Sequence, residues 1–210
     1  MYSDLNYYDI RGSTAATNPP PYFKQYLNTP SVMDAIGVDV NYTSESAEVR
    51  SAFELTGDLV FPDFLEDIEK LLSLPVRVAL VYGDADYLCN WFGGEAISLA
   101  VNYTHSKQFS NAGYAPFVVN GKEYGATREY GNFSFTRVYD AGHMVPFNQP
   151  AASLQLFNRT LHGLDLASGK HKLRPNLGSH GPSSATHTQA STRITSSTSL
   201  PSKSGSAKRW

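Results

Sequence analysis

Two stretches of the sequence place titratable side chains where a catalytic site could use them. Residues 133–139 are rich in aromatic and β-branched side chains, which predicts a strand, and His143 follows in a loop. The apolar residues 76–83 predict a buried parallel strand that ends at Asp84 and Asp86. Loops at the carboxyl ends of strands collect catalytic groups in open α/β sheets, so a histidine and an aspartate here suit general base catalysis.

The order of these residues matches the last two members of a catalytic triad in α/β hydrolases. There the chain order is serine, acid, histidine, and the acid fixes the imidazole tautomer and stabilises its protonated form. Residue chemistry alone leaves Asp84 and Asp86 open as the acid, because either could instead cap the turn. The alternative for His143 is a side chain that only hydrogen-bonds a turn.

The elements that would position these loops are predicted from apolar spacing and turn residues. The pair Asn120-Gly121 favours a type I′ turn in a hairpin, and Gly93-Gly94 would let a helix approach the sheet closely. Asp63 can cap the helix that it begins. Helices are predicted over residues 22–27, 31–36, 63–72, 92–101 and 150–161. Alternating helices and strands predict an α/β fold with a doubly wound, mostly parallel sheet.

Two longer motifs resemble a known family. Residues 83–91 (GDADYLCNW) and 142–147 (GHMVPF) closely resemble the acid and histidine signatures of serine carboxypeptidases, most of all the secreted fungal members. The similarity covers about residues 7–163, including the YDIR sequence of residues 8–11. It implies the C-terminal part of an α/β-hydrolase fold. By position it makes Asp86 the triad acid, His143 the triad histidine, Cys89 the unpaired thiol beside the substrate cleft and Met144 a cleft-lining residue.

The resemblance implies a serine-type carboxypeptidase that releases C-terminal residues from peptide or protein substrates, with no cofactor and no metal. A Gly-x-Ser-x-Gly nucleophile motif is absent from the 210 residues. We therefore expect the serine in a missing N-terminal half of the same domain, and we expect this chain alone to be inactive. The alternative is a truncated, catalytically inactive secreted protein or pseudoenzyme with a binding role. A lipase or esterase is a weaker third option, because its signatures differ from these.

Composition divides the chain at residue 166. Residues 167–210 hold seven Lys/Arg, no acid and sixteen Ser/Thr, which predicts a disordered, basic tail after a catalytic portion at residues 1–166. The remaining ten basic and nineteen acidic residues give residues 1–166 a balance of −9, which argues against a nucleic-acid surface. No apolar run approaches the roughly 18 residues of a membrane span.

Four glycosylation sequons, at Asn41, Asn102, Asn132 and Asn158, indicate the secretory pathway, with a secreted or vacuolar destination. Residues 1–20 lack the apolar core of a signal peptide, which we expect the missing half to supply. Cys89 is the single cysteine, so an intrachain disulfide cannot form. The sequence leaves open whether its thiol is reactive or inert.

Overall fold

The computed structural model describes residues 4–13, 20–58 and 64–185. The strands are β1 (Leu5–Asn6), β2 (Asp9–Ser13), β3 (Val78–Gly83), β4 (Ala115–Val119), β5 (Lys122–Tyr130) and β6 (Phe133–Val138). The helices are α1 (Tyr22–Leu27), α2 (Pro30–Ile36), α3 (Ala47–Thr56), α4 (Phe64–Leu72), α5 (Trp91–Ala100), α6 (Ser106–Asn111), α7 (Val145–Asn148) and α8 (Pro150–Leu161). In the described ranges, no helix is both long enough and apolar enough to cross a bilayer.

A four-stranded sheet in the order β3-β6-β5-β4 positions the two loops predicted to carry chemistry. Strands β3 and β6 are parallel and in register from Val78 opposite Phe133 to Gly83 opposite Val138. The other two pairings are antiparallel, so the sheet in the described residues is mixed. Because the parallel strands end side by side, the loops after Gly83 and Val138 leave the same edge. The α/β fold predicted from the sequence is confirmed.

The hairpin between β4 and β5 extends this sheet. Its turn residues Asn120 and Gly121 have φ of 51° and 81°, the left-handed values that a type I′ turn requires. The predicted turn is therefore present. The hairpin belongs to the main sheet, because β5 pairs with β6 from Gly125 to Tyr130.

The predicted helices are present with small changes at their ends. Helix α5 begins after Asn90, whose side-chain oxygen accepts a hydrogen bond from the Gly93 amide at 2.9 Å. A side chain at Gly94 would collide with the Tyr82 ring, which confirms the predicted close approach between this helix and β3. Helix α4 is present, but the proposed capping residue Asp63 lies outside the described residues.

Apolar side chains cover both faces of the sheet, and all six residues of β6 are buried. One cluster packs α5 and α6 against the sheet and includes Trp91, Phe109, Tyr114, Phe133 and Phe135. The other packs α8 against the opposite face and includes Phe117, Val138, Val145, Leu156 and Leu166. The small polar residues Ser134 and Thr136 alternate with phenylalanines in β6 and are nevertheless buried, because helices cover both faces of the sheet.

The structure corrects the boundary predicted at residue 166. Residues 167–185 cross the sheet, and Ala185 is buried, with its carbonyl accepting a hydrogen bond from Arg137 Nη1 at 2.7 Å. Backbone hydrogen bonds also join Gly131 to Leu177, Ser179 to Glu129 and Tyr114 to Pro182. The composition of this segment does not reveal that it is ordered, because the segment is held by hydrogen bonds to the sheet and makes few apolar contacts. Residues 186–210 lie outside the described residues.

A buried ion pair joins β3 to β5 beneath the end of α8. Arg77 Nη2 lies 2.6 Å from Glu129 Oε1, and the two side chains are 10% and 3% exposed. Arg77 also donates to the carbonyls of Arg159, Thr160 and Leu164. Burial raises the pKa of Glu129, although the Leu166 amide and Arg77 offset part of that rise. The pair therefore depends on both partners remaining in place.

Replacing Arg77 should show how much this pair matters. We expect Arg77→Met to lower the free energy of unfolding by about 3–5 kcal/mol, because Glu129 and three carbonyls lose a buried partner. Urea unfolding followed by circular dichroism measures the change. The matched control is Arg50→Met, which removes exposed pairs with Glu45 and Glu54 and should leave stability almost unchanged. Equal midpoints for the two variants would contradict this account.

Candidate active site

The loops after β3 and β6 bring a carboxylate against an imidazole. His143 Nδ1 lies 2.8 Å from Asp86 Oδ2. The Asp86 side chain is 4% exposed, whereas that of His143 is 37% exposed. A buried acid behind an accessible imidazole is the arrangement in which the acid orients the ring and the ring exchanges protons with a reactant.

The loop after β3 also holds the second oxygen of the Asp86 carboxylate. The Cys89 amide donates to Asp86 Oδ1 at 3.1 Å, while Oδ2 faces His143. Each carboxylate oxygen therefore has its own partner. Such a carboxylate cannot rotate without losing one of the two contacts.

The structure separates the two aspartates that the sequence left open. Asp84 Oδ1 accepts from the Ala141 amide at 3.2 Å, and the Ala85 amide donates to the Ala141 carbonyl at 2.8 Å. Burial raises the pKa of Asp84, and hydrogen bonds from the histidine loop oppose that rise. Asp84 thus joins the two loops by its contact with the Ala141 backbone. Of the two aspartates, Asp86 is the one that contacts the imidazole.

Glycines allow the loops to approach this closely. A side chain on Gly83 would collide with the Ala141 carbonyl, and one on Gly142 would collide with the backbone of Tyr8. The Gly142 amide donates to the Asn148 side chain at 2.9 Å. Glycine is required at both positions because the neighbouring backbone is too close for a Cβ atom, and not because of an unusual φ.

The N-terminal β1–β2 hairpin contributes a contact that reasoning from the residues missed. The Tyr8 carbonyl accepts from the His143 amide at 2.7 Å, and the Tyr8 ring centroid lies 5.0 Å from that of the imidazole. The Ile10 amide donates to the Ala85 carbonyl at 3.0 Å. The resemblance included residues 8–11 without giving them a role. Only their similarity to the family could have drawn attention to them, because the pairing is long-range.

Cys89 and Met144 flank the Asp86–His143 pair. Both residues are exposed, and Met144 immediately follows the histidine. Desolvation and the neighbouring Asp86 charge raise the pKa of the Cys89 thiol. The raised pKa favours the protonated thiol, so Cys89 lacks the activation expected of a nucleophilic cysteine. Contact with a peptide substrate at these two residues stays a prediction.

The comparisons with known proteins agree with the geometry. The family model for serine carboxypeptidases matches residues 5–163. A carboxypeptidase S1 homolog B of Arthroderma otae is 48% identical over 169 residues, which are 80% of this chain and 26% of that protein. A vacuolar serine-type carboxypeptidase of Saccharomyces cerevisiae is 38% identical over 169 residues, which are 76% of this chain and 33% of that protein.

A solved structure matches the fold. The prohormone-processing carboxypeptidase from Saccharomyces cerevisiae superposes with a TM-score of 0.65 and 21% identity, over 84% of this chain and 39% of that one. At that identity the match concerns the fold alone. The chain spans about a quarter to a third of the length of the curated relatives named above.

The four sequons differ in their accessibility. Asn41 and Asn102 are exposed and lie outside the helices and strands. Asn132 is half-buried, and its Nδ2 donates to the Val76 carbonyl at 2.7 Å. Asn158 is half-buried within α8. A glycan replaces one of the two hydrogens on the side-chain nitrogen, so modification of Asn132 would place the sugar beside its contact with the Val76 carbonyl.

Glycopeptide mass spectrometry of the protein secreted from a eukaryotic host should reflect this difference. We expect higher glycan occupancy at Asn102 and Asn41 than at Asn132, whose nitrogen is already bonded within the fold. Asn102→Gln should remove one glycan from the intact mass, and Asn132→Gln should leave that mass almost unchanged. Full occupancy at Asn132 would contradict the prediction.

Proposed function

Since this chain belongs to the serine carboxypeptidase family, we propose that Asp86 and His143 are the acid and histidine of a Ser–Asp–His triad. The triad would release C-terminal residues from peptides. The observation that carries this proposal is the 2.8 Å contact between His143 Nδ1 and the buried Asp86 carboxylate. That contact supports a ring oriented for proton transfer at its other nitrogen.

The proposed mechanism assigns a separate task to each nitrogen of the imidazole. Nδ1–H donates to Asp86, which leaves the Nε2 lone pair free to take the proton of a serine hydroxyl as it attacks the scissile carbonyl. The same proton then passes from Nε2 to the leaving amine. Asp86 remains ionised and stabilises the imidazolium between these two steps.

The serine of this proposal lies outside the 210 residues, which contain no Gly-x-Ser-x-Gly sequence. The outer edge of β3 supports this view. Within the described ranges β3 pairs with β6 alone, and Val81 is 38% exposed. A further parallel strand on that edge would bring its own carboxyl-end loop beside Asp86 and His143.

The substrate contacts that we propose are the exposed side chains around the pair. Cys89, Met144 and the Tyr8 ring surround the accessible face of His143. They present largely apolar surface to the C-terminal residue of a peptide or protein. We assign no cofactor to this reaction, because a triad performs acyl transfer with its own side chains.

The cellular setting that we propose is the secretory pathway, ending in a vacuole or outside the cell. One relative is named as a vacuolar serine-type carboxypeptidase, and exposed sequons at Asn41 and Asn102 agree with passage through that pathway. Glycosylation at these sites belongs to the proposal.

A second candidate is a secreted protein that binds peptides without cleaving them. The absence of a Gly-x-Ser-x-Gly sequence from these 210 residues favours it, because Asp86 and His143 need a nucleophile to activate. A serine-reactive fluorophosphonate probe separates the two candidates. Labelling of the native protein from its source supports the enzyme, and peptide binding without labelling supports the second candidate.

Mutation of the pair in the longer protein tests the triad directly. We expect His143→Ala and Asp86→Asn each to lower kcat for a peptide substrate by about 10⁴, because the general base is lost or held in the wrong tautomer. Release of the C-terminal amino acid, followed by chromatography, measures the rate. The matched control is His162→Ala, an exposed histidine just after α8, which should leave the rate unchanged. Full activity of His143→Ala would end the triad assignment.

A further inference from the structure

The N-terminal β1–β2 hairpin binds the loop of the acid on both sides of Asp86. The Ile10 amide donates to the Ala85 carbonyl at 3.0 Å, and the Tyr7 carbonyl accepts from the Tyr87 amide at 3.1 Å. Ala85 and Tyr87 are the two neighbours of Asp86 along the chain. The backbone of the hairpin therefore fixes the backbone from which the Asp86 side chain projects.

The hairpin also contacts the loop of the histidine. The Tyr8 carbonyl accepts from the His143 amide at 2.7 Å. Asp9 packs against the preceding residue, because a Cβ atom added to Gly142 would lie only 2.7 Å from the Asp9 Cβ. Neighbouring residues of one short stretch thus contact both loops. The conformation of that stretch sets how far apart Asp86 and His143 lie.

One ion pair holds the hairpin in this conformation. Asp9 Oδ1 accepts from the Arg11 amide at 3.1 Å and from Arg11 Nε at 2.8 Å, and Asp9 Oδ2 pairs with Nη2. The Asp9 side chain is 16% exposed, whereas that of Arg11 is 39% exposed. The guanidinium keeps the pKa of Asp9 below its usual value, so this carboxylate stays charged. A carboxylate bonded to both the backbone and the side chain of Arg11 restricts the chain between them.

The charge of Arg11 acts on both loops as well. Its pKa is raised chiefly by the hydrogen bond with Asp9, and the charges of Asp84 and Asp140 add to that rise. Asp84 follows β3, and Asp140 follows β6. These two carboxylates repel each other across the loops, and the guanidinium offsets that repulsion.

We propose that Asp9 and Arg11 are positioning residues for the proposed triad: their ion pair holds the hairpin backbone in the conformation that keeps the His143 ring against Asp86. They act through the backbone bonds of the hairpin and not on the substrate. The effect on the reaction rate rests on the proposed function. The effect on the contact between His143 and Asp86 does not, and it can be measured without activity.

Proton NMR of the 210-residue chain tests the effect on this contact. The Nδ1–H proton that His143 donates to Asp86 should give a low-field signal, which His143→Gln identifies by removing it. We expect Asp9→Ala and Arg11→Met each to abolish this signal while the far-UV circular dichroism spectrum stays unchanged. Arg11→Lys should retain the signal, because an ammonium group can still pair with Asp9.

Two results of the NMR experiment would overturn the proposal. The first is a low-field signal that persists unchanged in Asp9→Ala and Arg11→Met. The second is loss of the signal together with loss of the circular dichroism spectrum, which would make the pair a requirement of the whole fold. The control is Arg50→Met, which removes exposed pairs with Glu45 and Glu54 and should keep both spectra.

The longer protein tests the effect on rate. We expect Asp9→Ala and Arg11→Met each to lower kcat at least about tenfold with little change in KM, because a misplacement of about 1 Å can cost about 100-fold. The double variant should be no slower than either single variant, since the two residues act as a unit. Arg11→Lys should recover most of the activity, and Arg50→Met should leave kcat unchanged.

The outcomes separate this proposal from the proposed function. A raised KM with unchanged kcat in Asp9→Ala would overturn the positioning role, because it would place the pair in substrate binding. Unchanged kinetics in Asp9→Ala would count against the positioning role alone. A longer protein without peptidase activity, whose low-field signal still depends on Asp9, would count against the proposed function alone.

Discussion

The in-register parallel pairing of β3 with β6 is the constraint on which the site depends. It aligns Gly83 with Val138, so the two loops begin beside each other and their first residues can exchange backbone hydrogen bonds. A shift by one residue would turn the side chains of β6 to opposite faces and carry His143 along the strand axis. The burial of β6 on both faces opposes such a shift, because each face packs against a different apolar cluster.

Three buried arginines supply much of the remaining order around the sheet. Arg77, Arg137 and Arg159 donate to backbone carbonyls, and those of Leu164, Leu166 and Ala185 lie outside the helices and strands. A guanidinium has five donors, and so one side chain can satisfy several carbonyls of an irregular segment. This explains how residues 167–185 pack against the sheet with few apolar side chains. The arrangement is costly to disturb, because loss of Arg77 or Arg159 leaves several acceptors without a partner and loss of Arg137 leaves the Ala185 carbonyl without one.

The two aspartates of the loop after β3 have different tasks. Asp84 joins the loops through backbone atoms, which leaves Asp86 free to orient the imidazole. Cys89 donates its amide to Asp86 while its thiol remains accessible. A histidine that exchanges protons must be open to a reactant, and the His143 side chain is accessible whereas that of Asp86 is buried.

The sequence by itself determined the elements and the identity of the residues that could do chemistry. Apolar spacing predicted helices α1, α2, α4, α5 and α8 but not α3 or α6. Asn120-Gly121 predicted the hairpin turn, and long local motifs drew attention to Asp86 and His143. These features depend on neighbours along the chain. Tertiary structure alone decided that Asp84 joins the two loops, that Tyr8 packs against the imidazole, and that residues 167–185 belong to the fold. Each of these depends on contacts between residues far apart in sequence, whose pairing follows from strand register and burial and leaves no local pattern.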